Sequence, residues 1–110
     1  IAYYYAGADC GILDYLAQNH EGIVIVGSGN GNYSNAWLKK MEECYRTYGT
    51  IFVRASRVPF GIVFSDYMFD PNQWFIASNT LSAQKARVLL MLALRETKDI
   101  STLKDIFESY

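Results

Sequence analysis

The sequence predicts an α/β fold, a small three-layer domain with a roughly four-stranded parallel sheet and helices on both faces. Two observations carry that expectation. Ile23 to Val26 is an unbroken β-branched run bounded by glycines, the pattern of a strand buried on both faces of a parallel sheet and not the alternation of a half-exposed antiparallel one. Segments of helical period separate this run from the apolar stretches on either side, and strand, helix, strand alternation implies right-handed crossovers between parallel strands.

Each element has its own justification. Tyr3 to Tyr5 is β-prone, and Gly7 to Asp9 supplies a turn. Asp9 is placed to cap a helix over Cys10 to Gln18, in which Ile12, Leu13, Leu16 and Ala17 share one face. After the second strand and a loop, Trp37, Met41, Cys44, Tyr45 and Tyr48 recur at helical spacing, with Lys39, Lys40, Glu42, Glu43 and Arg46 between them. They predict an amphipathic helix that starts near Asn32 or Tyr33 and ends at Gly49. Thr50 to Ala55 reads as a third strand and Phe75 to Ala77 as a short fourth. Between them, residues 57–74 mix Pro59, Gly61, Pro71 and Asn72 with aromatic pieces, the signature of an irregular connection. Ser82 caps a helix running to about Thr97, whose centre, VLLMLAL, is apolar nearly all round and is expected to be buried. Asp99 caps a last helix reaching toward Tyr110.

The composition narrows the function classes. At 110 residues the chain has room for one core, so residues 1–110 are expected to form one domain. Hydrophobic residues make up 51% and charged residues 19%, as in a folded globular chain. Ten Lys and Arg against eleven Asp and Glu, scattered along the chain, give no basic face for nucleic acid. The longest apolar run, Val88 to Leu94, is far short of the ~20 residues that cross a bilayer. The chain opens on IAYYYAG, without Met or the three regions of a signal peptide, so a fragment or excised domain is expected. Cys10 and Cys44 lack CxxC spacing and read as small core residues. His20 has no second ligand at metal spacing, so neither a metal nor a cofactor is expected. The tyrosines, Trp37 and Trp74 read as core and interface residues.

The stretch GIVIVGSGNGNYSNAW, residues 22–37, places a glycine and asparagine loop at the carboxyl end of a strand and before a helix, where ligands of parallel sheets bind. It is neither a Walker loop nor a GxGxxG fingerprint. Two readings stay open on the residues alone. One is a tight βα turn in which glycine and asparagine supply positive φ. The other is a phosphate or flavin cradle of backbone N–H groups helped by the Ser28 and Ser34 hydroxyls, in a stand-alone flavodoxin-like small-molecule-binding module.

Several stretches together carry a family resemblance: YYYAGAD near the start, GIVIVGSGNGNYS, VRASRVPFG at 53–61, FIAS at 75–78, LSAQKARVLLMLAL and the ending LKDIFESY. In order and spacing the chain resembles the C-terminal domain of bacterial type II L-asparaginases, the asparaginase and glutaminase-asparaginase group. The resemblance implies a four-stranded parallel α/β domain that follows a larger N-terminal one, and an amidohydrolase that turns L-asparagine, or L-glutamine, into the acid and ammonia. It also implies that the threonine nucleophile and its activating groups lie in that N-terminal domain, so the 110 residues alone are expected to be inactive and to contain no catalytic residue.

By the same resemblance this domain completes the active site of a neighbouring subunit within a homotetramer, and its partners are the N-terminal domain and neighbouring subunits. Asn32, the second asparagine of GNGN, is the matching substrate-binding position. The family's glutamate for the substrate ammonium falls at Tyr67 or Met68, neither a carboxylate. Asp66 or Asp70 could stand in, although a solvated loop charge is the plainer reading. Arg54 and Arg57 are expected to pair with carboxylates in domain or subunit contacts more than to mark an anion site. A periplasmic or secreted location is implied by the type II resemblance alone.

Overall fold

The structure is a computed structural model in which residues 1–5, 7–29, 31–58 and 62–110 are described. Its elements follow the predicted order: β1 (Ala2–Tyr3), α1 (Gly11–Asn19), β2 (Gly22–Gly27), α2 (Asn35–Tyr48), β3 (Ile51–Ser56), β4 (Ile76–Ala77), α3 (Ala83–Ala93) and α4 (Ile100–Glu108). The four strands form one sheet in the order β1-β2-β3-β4, and every neighbouring pair is parallel. β2 and β3 run in register over six residues, from Gly22 beside Ile51 to Gly27 beside Ser56.

Strand period two divides the core into two layers. Ile23 and Ile25 of β2, with Phe52 of β3, pack against Leu13 and Ala17 of α1 and Trp37, Met41 and Cys44 of α2. Val24 and Val26, with Ile51, Val53 and Ala55, pack against Ala86 and Leu90 of α3 and Leu103 and Phe107 of α4. Consecutive parallel strands joined by crossovers of one hand place their connecting helices on the same face, so α1 and α2 share a side. The opposite face is left for the two helices that follow β4. Each fully buried Ile, Leu or Phe contributes roughly 1.5–3 kcal/mol. Trp37 adds a specific tie, since its indole Nε1–H donates to the Ala8 carbonyl at 3.0 Å and its ring meets Tyr4 edge-on.

The helix ends are set by local chemistry. Ser34 caps α2 by accepting from the Trp37 N–H, so this helix starts later than Asn32 or Tyr33, and Gly49 ends it at φ 69°. Ser82 and Asp99 cap α3 and α4 as predicted, accepting from the Lys85 and Thr102 N–H groups. For α1 the expectation shifts by one residue. Cys10 occupies the cap position without a side-chain bond, while Asp9 Oδ1 accepts from the Gly11 N–H at 2.9 Å.

Three burial expectations are corrected. Ile12 lies on the outer side of α1, 52% exposed, because Leu13 and Ala17 alone point squarely at the sheet. Tyr48, in the last turn of α2, is also exposed. The apolar VLLMLAL segment is buried on one side only: Leu90 and Ala93 meet the sheet, whereas Val88, Met91 and Leu92 are each half-exposed. A helix on the outside of a three-layer stack has a single layer to pack against, whatever its composition. Cys10 and Cys44 are both free thiols. Among the described residues, no helix is long and apolar enough to cross a membrane.

Candidate functional site

The loop after β2 turns back on itself at the carboxyl end of the sheet. Ser28 and Asn32 pair as an isolated antiparallel bridge, with Ser28 N–H donating to Asn32 O at 2.9 Å and Asn32 N–H to Ser28 O at 2.8 Å. The Gly31 N–H also donates to Ser28 O. Gly31 has φ 87°, a left-handed backbone that lets the chain reverse here. Gly27 is required for room, since a methyl group there would lie 2.4 Å from Gly31 C and 2.6 Å from Asn32 O. The neighbouring strand end braces the loop: the Ser56 hydroxyl donates to Gly29 O, and the Arg57 N–H donates to Gly27 O at 3.3 Å. Asn30 of the same motif, like Pro59, Phe60 and Gly61 of the following connection, lies outside the described residues.

This geometry weighs against the phosphate-cradle reading. The N–H groups of Ser28, Gly31 and Asn32 are already spent inside the loop. The Ser28 hydroxyl donates to Asn32 O, and the Ser34 hydroxyl accepts from the Trp37 N–H. What the loop does present is the half-buried Asn32. Its carboxamide, which carries both a donor and an acceptor, takes no hydrogen bond among the described residues.

The connection from β3 to β4 is fastened to this loop through Val63 and through Tyr33 with Phe69. Val63 pairs with Asn79 through two backbone bonds of 3.0 and 3.1 Å, and its methyls stand over Gly31. The Tyr33 hydroxyl donates to Phe69 O at 2.6 Å, and the two rings meet edge-on. Burial raises the Tyr33 hydroxyl far above its ordinary range, so it stays a proton donor at any working pH.

Asp66 and Asp70 prove quite different. Asp66 is half-buried, and its Oδ1 accepts from the Met68 N–H at 2.8 Å in a local turn. Asp70 is not a solvated loop charge. It is buried, with Oδ1 accepting from the Trp74 N–H and Oδ2 from the Phe75 N–H, so both oxygens organise the approach to β4. Desolvation raises its pKa, against the opposing effect of those two backbone bonds.

Arg54 overturns the expectation of an external contact with carboxylates. It is 2% exposed within the chain itself, Nη1 donates to Phe64 O at 3.0 Å, and its guanidinium lies 5.7 Å from the Tyr33 ring centroid and 5.8 Å from that of Phe69. The one signal in the sequence is a charge inside IFVRAS, a strand otherwise buried on both faces. Which aromatic groups would enclose it is a matter of tertiary packing.

Fold and loop together define an α/β domain that offers an uncharged amide at the carboxyl end of a parallel sheet while its own backbone donors are used internally. The profile of the glutaminase/asparaginase C-terminal domain matches residues 1–107, and the chain belongs to that family. It is 42% identical over 112 residues to L-asparaginase 2 of Escherichia coli and 41% identical over 112 residues to a probable periplasmic L-asparaginase of Haemophilus influenzae. Each alignment takes in all of this chain and 32% of the other protein, so the chain spans about a third of the length of these relatives. A crystal structure titled as a probable cytoplasmic L-asparaginase from Campylobacter jejuni superposes with a TM-score of 0.89 at 33% identity, covering 99% of this chain and 33% of that one.

Proposed function

We propose that this chain is the C-terminal domain of an L-asparaginase, which hydrolyses L-asparagine to L-aspartate and ammonia. The observation that carries the reading is the full-length match of the chain to proteins named L-asparaginase, at 41% and 42% identity. In this reading the threonine nucleophile belongs to a preceding N-terminal domain, and the present domain closes the active site of a neighbouring subunit in a tetramer. L-Glutamine is a second substrate to be compared.

Asn32 is the substrate-binding residue. Its amide oxygen accepts from, and its amide nitrogen donates to, polar groups of the bound amino acid without adding charge to a site where a carboxylate and an ammonium already balance. The self-paired loop gives that amide a defined position before substrate arrives, which lowers the ordering cost of binding. Asp66 is the second group. One of its oxygens accepts from the Met68 N–H, and the other, which takes no hydrogen bond among the described residues, is assigned to the substrate ammonium, whereas both oxygens of Asp70 are committed to backbone.

The test uses the full polypeptide that carries this chain. It is expected to release ammonia from L-asparagine, and Asn32→Ala is expected to lower kcat/KM about 10- to 100-fold, the cost of leaving substrate polar groups unpaired in a closed site. Residues 1–110 alone are expected to release none. A full polypeptide with no asparagine hydrolysis would overturn the reading. The periplasm is the proposed location, supported by the name of the Haemophilus relative; the Campylobacter protein is titled cytoplasmic, and cell fractionation decides between the two.

A further inference from the structure

Arg54 occupies a position where a charge needs a reason. Moving an arginine out of water costs several kcal/mol unless its donors and its charge are answered. Among the described residues no carboxylate lies within ion-pair distance, and the Nε atom has no hydrogen-bond partner. What answers the guanidinium is the Phe64 carbonyl on its edge and the faces of Tyr33 and Phe69, contacts that are strongest when desolvated. These three groups come from two segments far apart in sequence. Tyr33 follows Asn32 directly in the β2 loop, while Phe64 and Phe69 flank Asp66 in the β3 to β4 connection. The Tyr33 hydroxyl, bonded to Phe69 O, closes the same circuit from the other side.

We propose that Arg54 is the positioning residue of the substrate site: its guanidinium clamps segment 64–69 against Tyr33, and so holds Asn32 and Asp66 in one fixed relation. The inference rests on the asparaginase reading for its kinetic consequence, though the clamp itself does not. Arg54 touches neither group and acts through the backbone on which each is mounted. Its forked shape matters as much as its charge, because the guanidinium directs an N–H at the Phe64 carbonyl while its central carbon stays within cation–π range of both rings. A lysine ammonium in the same place supplies charge without either geometry.

The full polypeptide is prepared with Arg54→Lys, Arg54→Met and, as a control for general loosening, Phe107→Leu in the core on the opposite face of the sheet. Hydrogen exchange is read first. In both Arg54 variants the amides of residues 31–33 and 62–69 are expected to exchange at least tenfold faster, while those of α3 and α4 keep their rates. Kinetics follow, with KM for asparagine rising tenfold or more, kcat changing less than threefold, and Phe107→Leu leaving KM in place. Unchanged exchange in residues 31–33 and 62–69 would overturn the clamp. So would a KM that stays within twofold in Arg54→Lys, or that rises equally in Phe107→Leu. If the unmodified polypeptide fails to hydrolyse asparagine, the asparaginase reading falls by itself, and the exchange rates still decide the clamp.

Discussion

Gly27→Ala is the substitution whose consequence follows most directly from the coordinates. Gly27 is the last residue of β2 and does not lie at positive φ, so alanine suits its backbone conformation; what is missing is space. The added methyl would meet Gly31 C at 2.4 Å, Asn32 O at 2.6 Å and Asn32 N at 2.7 Å, against ordinary contact that begins at 3.4 Å. All three are backbone atoms and cannot swing aside, so the loop has to retreat by about 1 Å. The retreat strains or breaks the paired bonds between Ser28 and Asn32, each worth about 0.5–1.5 kcal/mol, and costs the domain on the order of 1–3 kcal/mol. In the proposed site it also carries Asn32 away from the substrate, and a displacement of 1 Å costs roughly 100-fold in kcat/KM. The assay is ammonia release by the full polypeptide, with a urea midpoint measured on the same preparation. A variant that keeps kcat/KM within twofold would show that Asn32 is not held by this close approach, and the assignment of the loop as half of a site would fail with it.

Other expectations are simpler. Leu90→Ala, on the sheet-facing side of α3, should cost about 2–5 kcal/mol, whereas Leu92→Ala, two residues on and 56% exposed, should change the urea unfolding free energy of the 110-residue chain by less than about 0.5 kcal/mol. Equal losses would refute the one-sided packing of that helix. Ser82→Ala should remove about 1 kcal/mol by leaving the Lys85 N–H uncapped, checked by thermal unfolding. For Asp70 the folded pKa lies above the unfolded value of 3.8, so the folded state holds this proton more tightly. The stability of the native chain relative to Asp70→Asn should therefore be greatest below pH 3.8 and decline as pH rises through the higher folded value; a relative stability that grows over that window refutes the sign. Burial, with the charge of Asp14 next, pushes the Cys44 thiol up to about 11, so at pH 8 it should resist a thiol reagent until the chain unfolds. Reaction of Cys44 in the folded chain at the rate of a free thiol would contradict its burial.

Much of the architecture was legible because its cues are local. The glycine-bounded run at Ile23–Val26, the caps at Ser82 and Asp99 and the left-handed stop at Gly49 each depend on residues within a few positions of one another, and period and capping chemistry read them directly. The family was legible for a related reason, since motifs in a fixed order survive as text. The depth of burial along α3 was not, because apolar composition states what a segment tolerates and not how many layers the fold will lay over it. Asp66 and Asp70 look alike in the sequence. One turns out half-buried in a local turn and the other enclosed by two backbone amides from the approach to β4, a distinction made only when the chain returns to the sheet.

By itself, then, the sequence determined the order and type of the elements, the parallel sheet and the family, and it singled out Asn32 as the residue to propose for the site. Tertiary structure decided how the site is held. It spends the loop's own N–H groups in the Ser28–Asn32 pair, and it encloses Arg54 between Tyr33 and Phe69, residues that meet only because β3 lies beside β2 and the connection after it folds back over their carboxyl ends. Contacts between segments distant in the chain carry no periodicity and no cap, so packing alone reveals them.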